Sequence, residues 1–166
     1  MSPTHLEFRA APLAYLITFN TYGSWLHGDK RGSIDRFHNR YGSPRLPSNP
    51  LREHYEQRLL KHPPVRLTHL QRKVVKDSIK EICNERDWGL WAANARSNHV
   101  HIVVSAACKS KEVQASLTAR ATKNMREQRC WAHDYSPWAD GGSRKNLWTH
   151  QSVMNAVVYV EYEQGE

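Results

Sequence analysis

The apolar run HVHIVVSAA at residues 99–107 constrains the fold of this chain more than any other segment. A short run that is rich in β-branched residues favours a strand over a helix. Side chains alternate between the two faces of a strand, so the apolar residues at even positions share one face, which helices are expected to bury. His99 and His101 then point together from the opposite, exposed face, with their Cα atoms about 7 Å apart.

Strand-like and helix-like segments alternate along the rest of the chain. Only RSN separates WGLWAANA from the histidines, so these two strands are predicted to form a hairpin. Thr68 and Ser110 are predicted helix N-caps. The predicted elements, in chain order, are a strand at 13–22, helices at 51–62 and 67–87, strands at 88–95 and 99–107, a helix at 110–130, a turn at 140–146, a short strand at 147–150 and a helix at 151–164. This order predicts a single α+β domain, residues 1–166, with an antiparallel sheet and helices packed on it.

A long polar stretch at residues 23–50 predicts a long basic loop. It carries Lys30 and Arg31 among aromatic residues, a combination that suits single-stranded nucleic acid because bases stack on rings. Alternatively, Tyr22 and Trp25 only hold the loop against the core. The net charge of the chain is +8, which favours a polyanionic partner such as nucleic acid over a merely basic protein.

The three cysteines are widely spaced and include no CxxC pair. Neither a disulfide framework nor a cysteine zinc site is expected, and this usage is typical of a reducing cytoplasm. The first residues lack a long apolar segment before a cleavage site, and no apolar run approaches the length of a membrane helix. We therefore expect a cytoplasmic protein with neither a signal peptide nor a membrane span.

The paired histidines allow two interpretations. Two imidazoles on one face of a strand can converge on a divalent metal and leave coordination positions for a third ligand and a substrate oxygen. Alternatively, His99 and His101 are ordinary hydrogen-bonded residues, which most isolated His-x-His pairs are. The basic composition and a tyrosine-bearing final helix favour the metal site.

The segment SNHVHIVV resembles the central strand of the single-tyrosine HUH transposases, including their relatives associated with repetitive extragenic palindromes. YLITFNTYGSWL is similar to the first strand and following loop of that group, and GSRKNLWTHQSVMNAVVYVEYEQG is similar to its closing segment. The resemblance covers most of the chain and implies a ferredoxin-like fold of the HUH endonuclease type. It also implies a metal-dependent enzyme that cleaves and rejoins single-stranded, hairpin-forming DNA through a 5′-phosphotyrosine, as a monomer or homodimer.

The resemblance implies Tyr159 as the nucleophile and Mg²⁺ or Mn²⁺ bound by the two histidines and a third polar side chain. Tyr162 is the alternative nucleophile, pointing about 60° away around the helix. For the third ligand, Glu163 lies one helical turn after Tyr159 and shares its face. Gln164 matches the residue type of the family, and its reach requires the helix end to unwind.

Basic residues recur on the predicted helix 110–130. Arg120, Lys123 and Arg126 are three residues apart, so they can form a stripe that follows DNA phosphates. A solvated helix face is the alternative. At the level of the whole protein, two other functions stay open: a non-catalytic single-stranded nucleic-acid-binding module on the same fold, and a metal-dependent hydrolase that uses water without a covalent tyrosine.

Overall fold

A computed structural model of the protein describes residues 11–24 and 50–162. Most of the predicted loop, with Lys30 and Arg31, lies outside these residues, as do Glu163 and Gln164. The described elements are β1 (Ala14–Asn20), α1 (Pro50–Leu59), α2 (His69–Glu85), β2 (Gly89–Ala95), β3 (His99–Ser105), α3 (Ser110–Glu127), β4 (Ser143–Leu147) and α4 (His150–Tyr162).

The four strands form one sheet in the order β2-β3-β1-β4, and every neighbouring pair is antiparallel. β1 and β3 are therefore the central strands, although they are far apart in the sequence. Together with α2 and α3, this strand order is that of the ferredoxin-like fold. The predicted α+β class, the antiparallel sheet and the hairpin of β2 with β3 are confirmed.

Helices cover both faces of the sheet. α2 and α3 pack on the face that carries Val100, Ile102 and Val104, and this layer forms the larger core. α4 packs on the opposite face, where Val153 and Val160 contact Val103. The alternation predicted for β3 is confirmed, but the expected exposure of the second face is wrong. α4 covers it because that face also carries apolar residues of β1 and β3, which stay out of water only under another layer.

Two local predictions are wrong. The last strand runs over Ser143–Leu147, so it takes up most of the predicted turn and stops where the predicted strand was to begin. Its pairing with β1 supplies backbone hydrogen bonds that outweigh the low strand propensity of SRKN. Ser110 is the first residue of α3 rather than its cap, and Lys109 occupies the cap position without a side-chain hydrogen bond.

α2 agrees closely with its sequence pattern. Thr68 forms the predicted N-cap, as a capping box in which its hydroxyl accepts from the Gln71 backbone N–H. Of the apolar residues that recur at helical spacing, Leu70 is 55% exposed, and the others are buried: Val74, Val75, Ile79 and Ile82. None of the described helices has the length and apolar character needed to cross a membrane.

The burial of α2 gives a stability prediction. Ile79 is fully buried between α2, α3 and the sheet, so Ile79→Ala is expected to lower the free energy of unfolding by about 2–5 kcal/mol in urea denaturation. Leu70→Ala on the same helix is the matched control and should change it by less than about 0.5 kcal/mol. Equal effects of the two substitutions would contradict the described packing of α2.

Candidate active site

His99 and His101 lie side by side on the α4 face of the sheet. Their side chains come from alternate positions of β3, and their ring centroids are 4.7 Å apart at an interplanar angle of 74°. Only 5% of His99 and 7% of His101 is exposed. The pair is therefore enclosed at the interface between the sheet and α4, where few water molecules compete for the ring nitrogens.

Tyr159 on α4 reaches this pair. Its ring centroid lies 5.6 Å from that of His101 in an edge-on arrangement, and the side chain is half-buried against the α4 core. Tyr162 is 78% exposed at the last described residue of the helix. The described structure thus brings Tyr159, rather than Tyr162, next to the histidines, because Tyr159 lies closer around the helix to the face of α4 that Ala156 and Val160 hold on the sheet.

Each histidine is oriented by a polar neighbour at its Nδ1 atom. Nδ1 of His101 lies 2.7 Å from the hydroxyl oxygen of Thr18, its direct partner on β1. Nδ1 of His99 lies 2.6 Å from Oδ1 of Asn98. An amide oxygen only accepts hydrogen bonds, so Nδ1 of neutral His99 carries the proton. A metal ion would then be bound through Nε2, the usual arrangement when a second group fixes the imidazole tautomer.

Asn98 is itself held firmly by the end of β1. Its backbone carbonyl accepts a hydrogen bond from the Thr21 N–H at 2.9 Å and one from the Ser24 hydroxyl at 3.1 Å. Thr21 is fully buried, and its hydroxyl donates to the Val65 carbonyl at 2.6 Å. These bonds fix the connection between β2 and β3 and so fix the residue that orients His99.

Asn20 is the direct β1 partner of His99 and belongs to the same face. Its Oδ1 atom is buried and has no hydrogen-bond partner among the described residues. Burying an amide oxygen without a partner costs about 1–3 kcal/mol, so native structures seldom keep such an atom without a reason.

The site fits a divalent cation. Imidazole is a common ligand of divalent transition metals, and a buried amide oxygen is a donor type that Mg²⁺ and Mn²⁺ accept alongside phosphate oxygens. Within residues 11–24 and 50–162, no group of three or more His, Cys, Asp or Glu side chains is placed to hold a metal. The predicted third ligands, Glu163 and Gln164, lie outside the described residues, so their roles stay predictions.

The predicted basic stripe on α3 lies across the sheet from the histidines, because α3 packs on the other face. Arg120 is 15% exposed, and its guanidinium donates to Glu81 and Glu85 of α2, both at 2.7 Å. The hydrogen bond from Arg120 lowers the pKa of the Glu85 carboxyl. Arg120 thus joins α2 to α3, and contact with DNA phosphates would have to compete with these two carboxylates.

Lys123 and Arg126 are placed differently from Arg120. Both line an open groove of about 510 Å³, whose wall also includes Thr122 and Trp138. The Lys123 side chain is 65% exposed, and its ammonium lies 3.9 Å from the Glu127 carboxylate, a weak surface pair. These two cations therefore face solvent together, whereas Lys30 and Arg31 lie outside the described residues.

The polar residues of β1 that surround the histidines were not predicted from the sequence. In LITFN the apolar pattern is interrupted at Thr18 and Asn20, which have the same spacing as His99 and His101 on β3. Two polar residues on alternate positions of a central strand are a signal for a polar site on one face. Assigning them to the histidine site required the pairing of β1 with β3.

The hydrogen bond between Asn98 and His99 predicts a spectroscopic result. A long-range ¹H–¹⁵N correlation spectrum of the metal-free protein should show neutral His99 protonated at Nδ1. Asn98→Ala should remove this preference, whereas Asn84→Ala, an exposed asparagine on α2, should leave it intact. Protonation at Nε2 in the unsubstituted protein would overturn the described orientation of His99.

Comparisons with known proteins rest on structure alone. No protein-family model matches the sequence, and no curated protein matches it. A solved REP-associated tyrosine transposase bound to a REP hairpin matches with a TM-score of 0.50 at 10% identity, covering 91% of this chain and 66% of the other. The chain thus spans slightly less than two thirds of that protein.

A second solved structure, a candidate transposase from Deinococcus radiodurans R1, has a TM-score of 0.47 at 12% identity and covers 95% of both chains. The similarity in fold is inferred from the first of these two structures. The chain shares the fold of this tyrosine transposase, and the resemblance inferred from its sequence is confirmed at the level of the fold.

Proposed function

We propose that this protein is a transposase-type enzyme that cleaves and rejoins single-stranded DNA, with Tyr159 as the nucleophile. The observation that carries the proposal is the grouping of Tyr159, His101 and His99 at one enclosed site. A non-catalytic binding module would not need a tyrosine hydroxyl beside two oriented imidazoles. The fold shared with a tyrosine transposase supports the same reaction class.

The reaction is an exchange of phosphodiester bonds. The hydroxyl oxygen of Tyr159 attacks the scissile phosphorus and loses its proton, and a bond forms between this oxygen and phosphorus. The bond from phosphorus to the 3′-oxygen breaks, and that oxygen takes up a proton. The products are a 5′-phosphotyrosine and a free 3′-hydroxyl. Attack by another 3′-hydroxyl reverses the steps and rejoins the strands without a nucleotide cofactor.

His99 and His101 would hold Mg²⁺ or Mn²⁺, which would supply positive charge to offset the negative charge of the phosphodiester. Asn98 and Thr18 keep the two rings in a fixed orientation, so little rearrangement is needed when substrate binds. Burial under α4 limits access of water, which favours transfer to a DNA hydroxyl over hydrolysis.

A covalent adduct tests the proposal directly. Labelled single-stranded DNA with a hairpin is incubated with the protein and Mn²⁺ and then separated on a denaturing gel. We expect a protein-linked label that disappears in Tyr159→Phe, because the phenylalanine ring keeps the packing and lacks the hydroxyl. Tyr162→Phe is the matched control on the same helix and should form the adduct at the level of the unsubstituted protein.

The other outcomes indicate either a different nucleophile or a different function. An adduct that persists in Tyr159→Phe and is lost in Tyr162→Phe would assign the nucleophile to Tyr162. Cleavage without an adduct would indicate a hydrolase, and binding without cleavage would indicate a nucleic-acid-binding module. Either result rejects the covalent mechanism.

The groove beside α3 predicts a salt-dependent contribution to DNA binding. In the double variant Lys123→Ala/Arg126→Ala, affinity for single-stranded DNA should fall, and the slope of log affinity against log salt should shrink by about 0.7 for each lost phosphate contact. Lys73→Ala/Lys76→Ala removes the same charge from the exposed surface of α2 and is the control. Fluorescence anisotropy measures the affinity and the salt slope of each double variant. Equal changes in the two variants would mean that only the net charge of the protein affects DNA binding.

A further inference from the structure

We infer that Asn20 is a metal ligand, so that the sheet itself supplies a three-residue set of His99, His101 and the Oδ1 atom of Asn20. The inference rests on the proposed function in that it assigns a residue to the same metal site. It differs from the sequence-based expectation, which places the third ligand at the end of the last helix.

The register of the central strands places Asn20 next to the histidines. Asn20 pairs directly with His99, and Thr18 pairs directly with His101. Side chains of directly paired residues lie on one face with Cβ atoms about 4.5–5.5 Å apart. The contact of Thr18 with the His101 ring confirms that the even positions of this part of β1 face the histidines. Asn20 therefore lies on the same face of the sheet as the histidines, directly beside His99.

The state of its amide oxygen points to a ligand. Oδ1 of Asn20 is buried and has no hydrogen-bond partner among the described residues, although the other polar side chains around the site are hydrogen-bonded. Oδ1 of Asn98 shows how this site uses an amide oxygen when its role is structural, since it accepts from the His99 ring. An acceptor left without a donor beside two imidazoles is suited to a cation, which needs oxygen lone pairs and provides no competing donor.

The position of Asn20 in the fold means that its side chain is already in place before substrate binds. It lies on a central strand, paired on one side with β3, and its backbone carbonyl accepts from Ala139 at 2.9 Å. Ligands on a rigid sheet hold a cation without first ordering a chain segment, which lowers the entropic cost of binding. Two imidazoles and one amide oxygen leave positions for phosphate oxygens and the attacking tyrosine.

Manganese binding to the full chain tests the inference without relying on activity. Mn²⁺ affinity is measured by electron paramagnetic resonance, and the Mn²⁺-induced rise in melting temperature is measured in parallel. Asn20→Ala should weaken Mn²⁺ binding at least about tenfold and remove most of that rise. Its melting temperature without metal should not fall, because the substitution removes a buried atom that has no partner. Asn20→Asp keeps the oxygen, adds a charge and should bind Mn²⁺ at least as tightly as the unsubstituted protein.

Two further variants complete the comparison. Asn155→Ala, an exposed asparagine on α4, is the matched control and should bind Mn²⁺ normally. Glu163→Ala/Gln164→Ala removes the ligands expected from the sequence and should bind Mn²⁺ more tightly than Asn20→Ala does. If Asn20→Ala binds Mn²⁺ normally and the Glu163→Ala/Gln164→Ala variant binds it more weakly, the inference is overturned and the third ligand lies at the end of the last helix.

The remaining outcomes separate this inference from the proposed function. A lower metal-free melting temperature in Asn20→Ala with unchanged Mn²⁺ affinity would mean a structural role for Asn20 and would overturn the inference alone. If Mn²⁺ binds neither the unsubstituted protein nor Asn20→Asp, the metal site of the proposed function fails as well. Should Asn20→Ala not fold, Asn20→Asp decides, since weaker Mn²⁺ binding in that variant also contradicts ligation by Oδ1.

Discussion

The antiparallel pairing of β1 with β3 is the interaction on which the rest of this structure depends. It joins two strands that are distant in the chain and makes them the centre of the sheet. It also sets the register that places Thr18 against His101 and Asn20 against His99. A slip by one residue would turn the apolar residues of β1 toward the histidines and its polar residues into the larger core, so burial fixes the register strongly.

The second constraint is that both faces of the sheet are covered. The larger core under α2 and α3 is mainly apolar, with Asn124 hydrogen-bonded to Ser78 between the two helices, and it stabilises the fold on the side of the sheet away from the histidines. The smaller core under α4 is apolar at one end and polar at the other, where the histidines lie. Docking of α4 through Val153 and Val160 thus stabilises the domain and carries Tyr159 to the site. One packing interaction serves both purposes.

Polar groups around the histidines form two sets of hydrogen bonds. Ser24 and Thr21 hold the backbone carbonyl of Asn98, and Asn98 orients His99. Thr18 separately orients His101. In a site with little water, fixed hydrogen bonds of this kind reduce the rearrangement of polar groups that the proposed exchange of phosphodiester bonds would otherwise require. The Oδ1 atom of Asn20 has no hydrogen-bond partner among the described residues, and for this reason we propose Asn20 as a metal ligand.

The sequence by itself determined the order of the elements, the two faces of β3, the capping of α2 and the basic character of the chain. These features follow from local periodicity and residue type, which act over a few neighbouring residues. The tertiary structure decided which residues meet: Tyr159 rather than Tyr162 at the histidines, Arg120 at the carboxylates of α2, and Ser143–Leu147 as a strand. Such outcomes depend on strand register and helix docking, which are set by contacts between distant segments and leave no periodic signal in either segment alone.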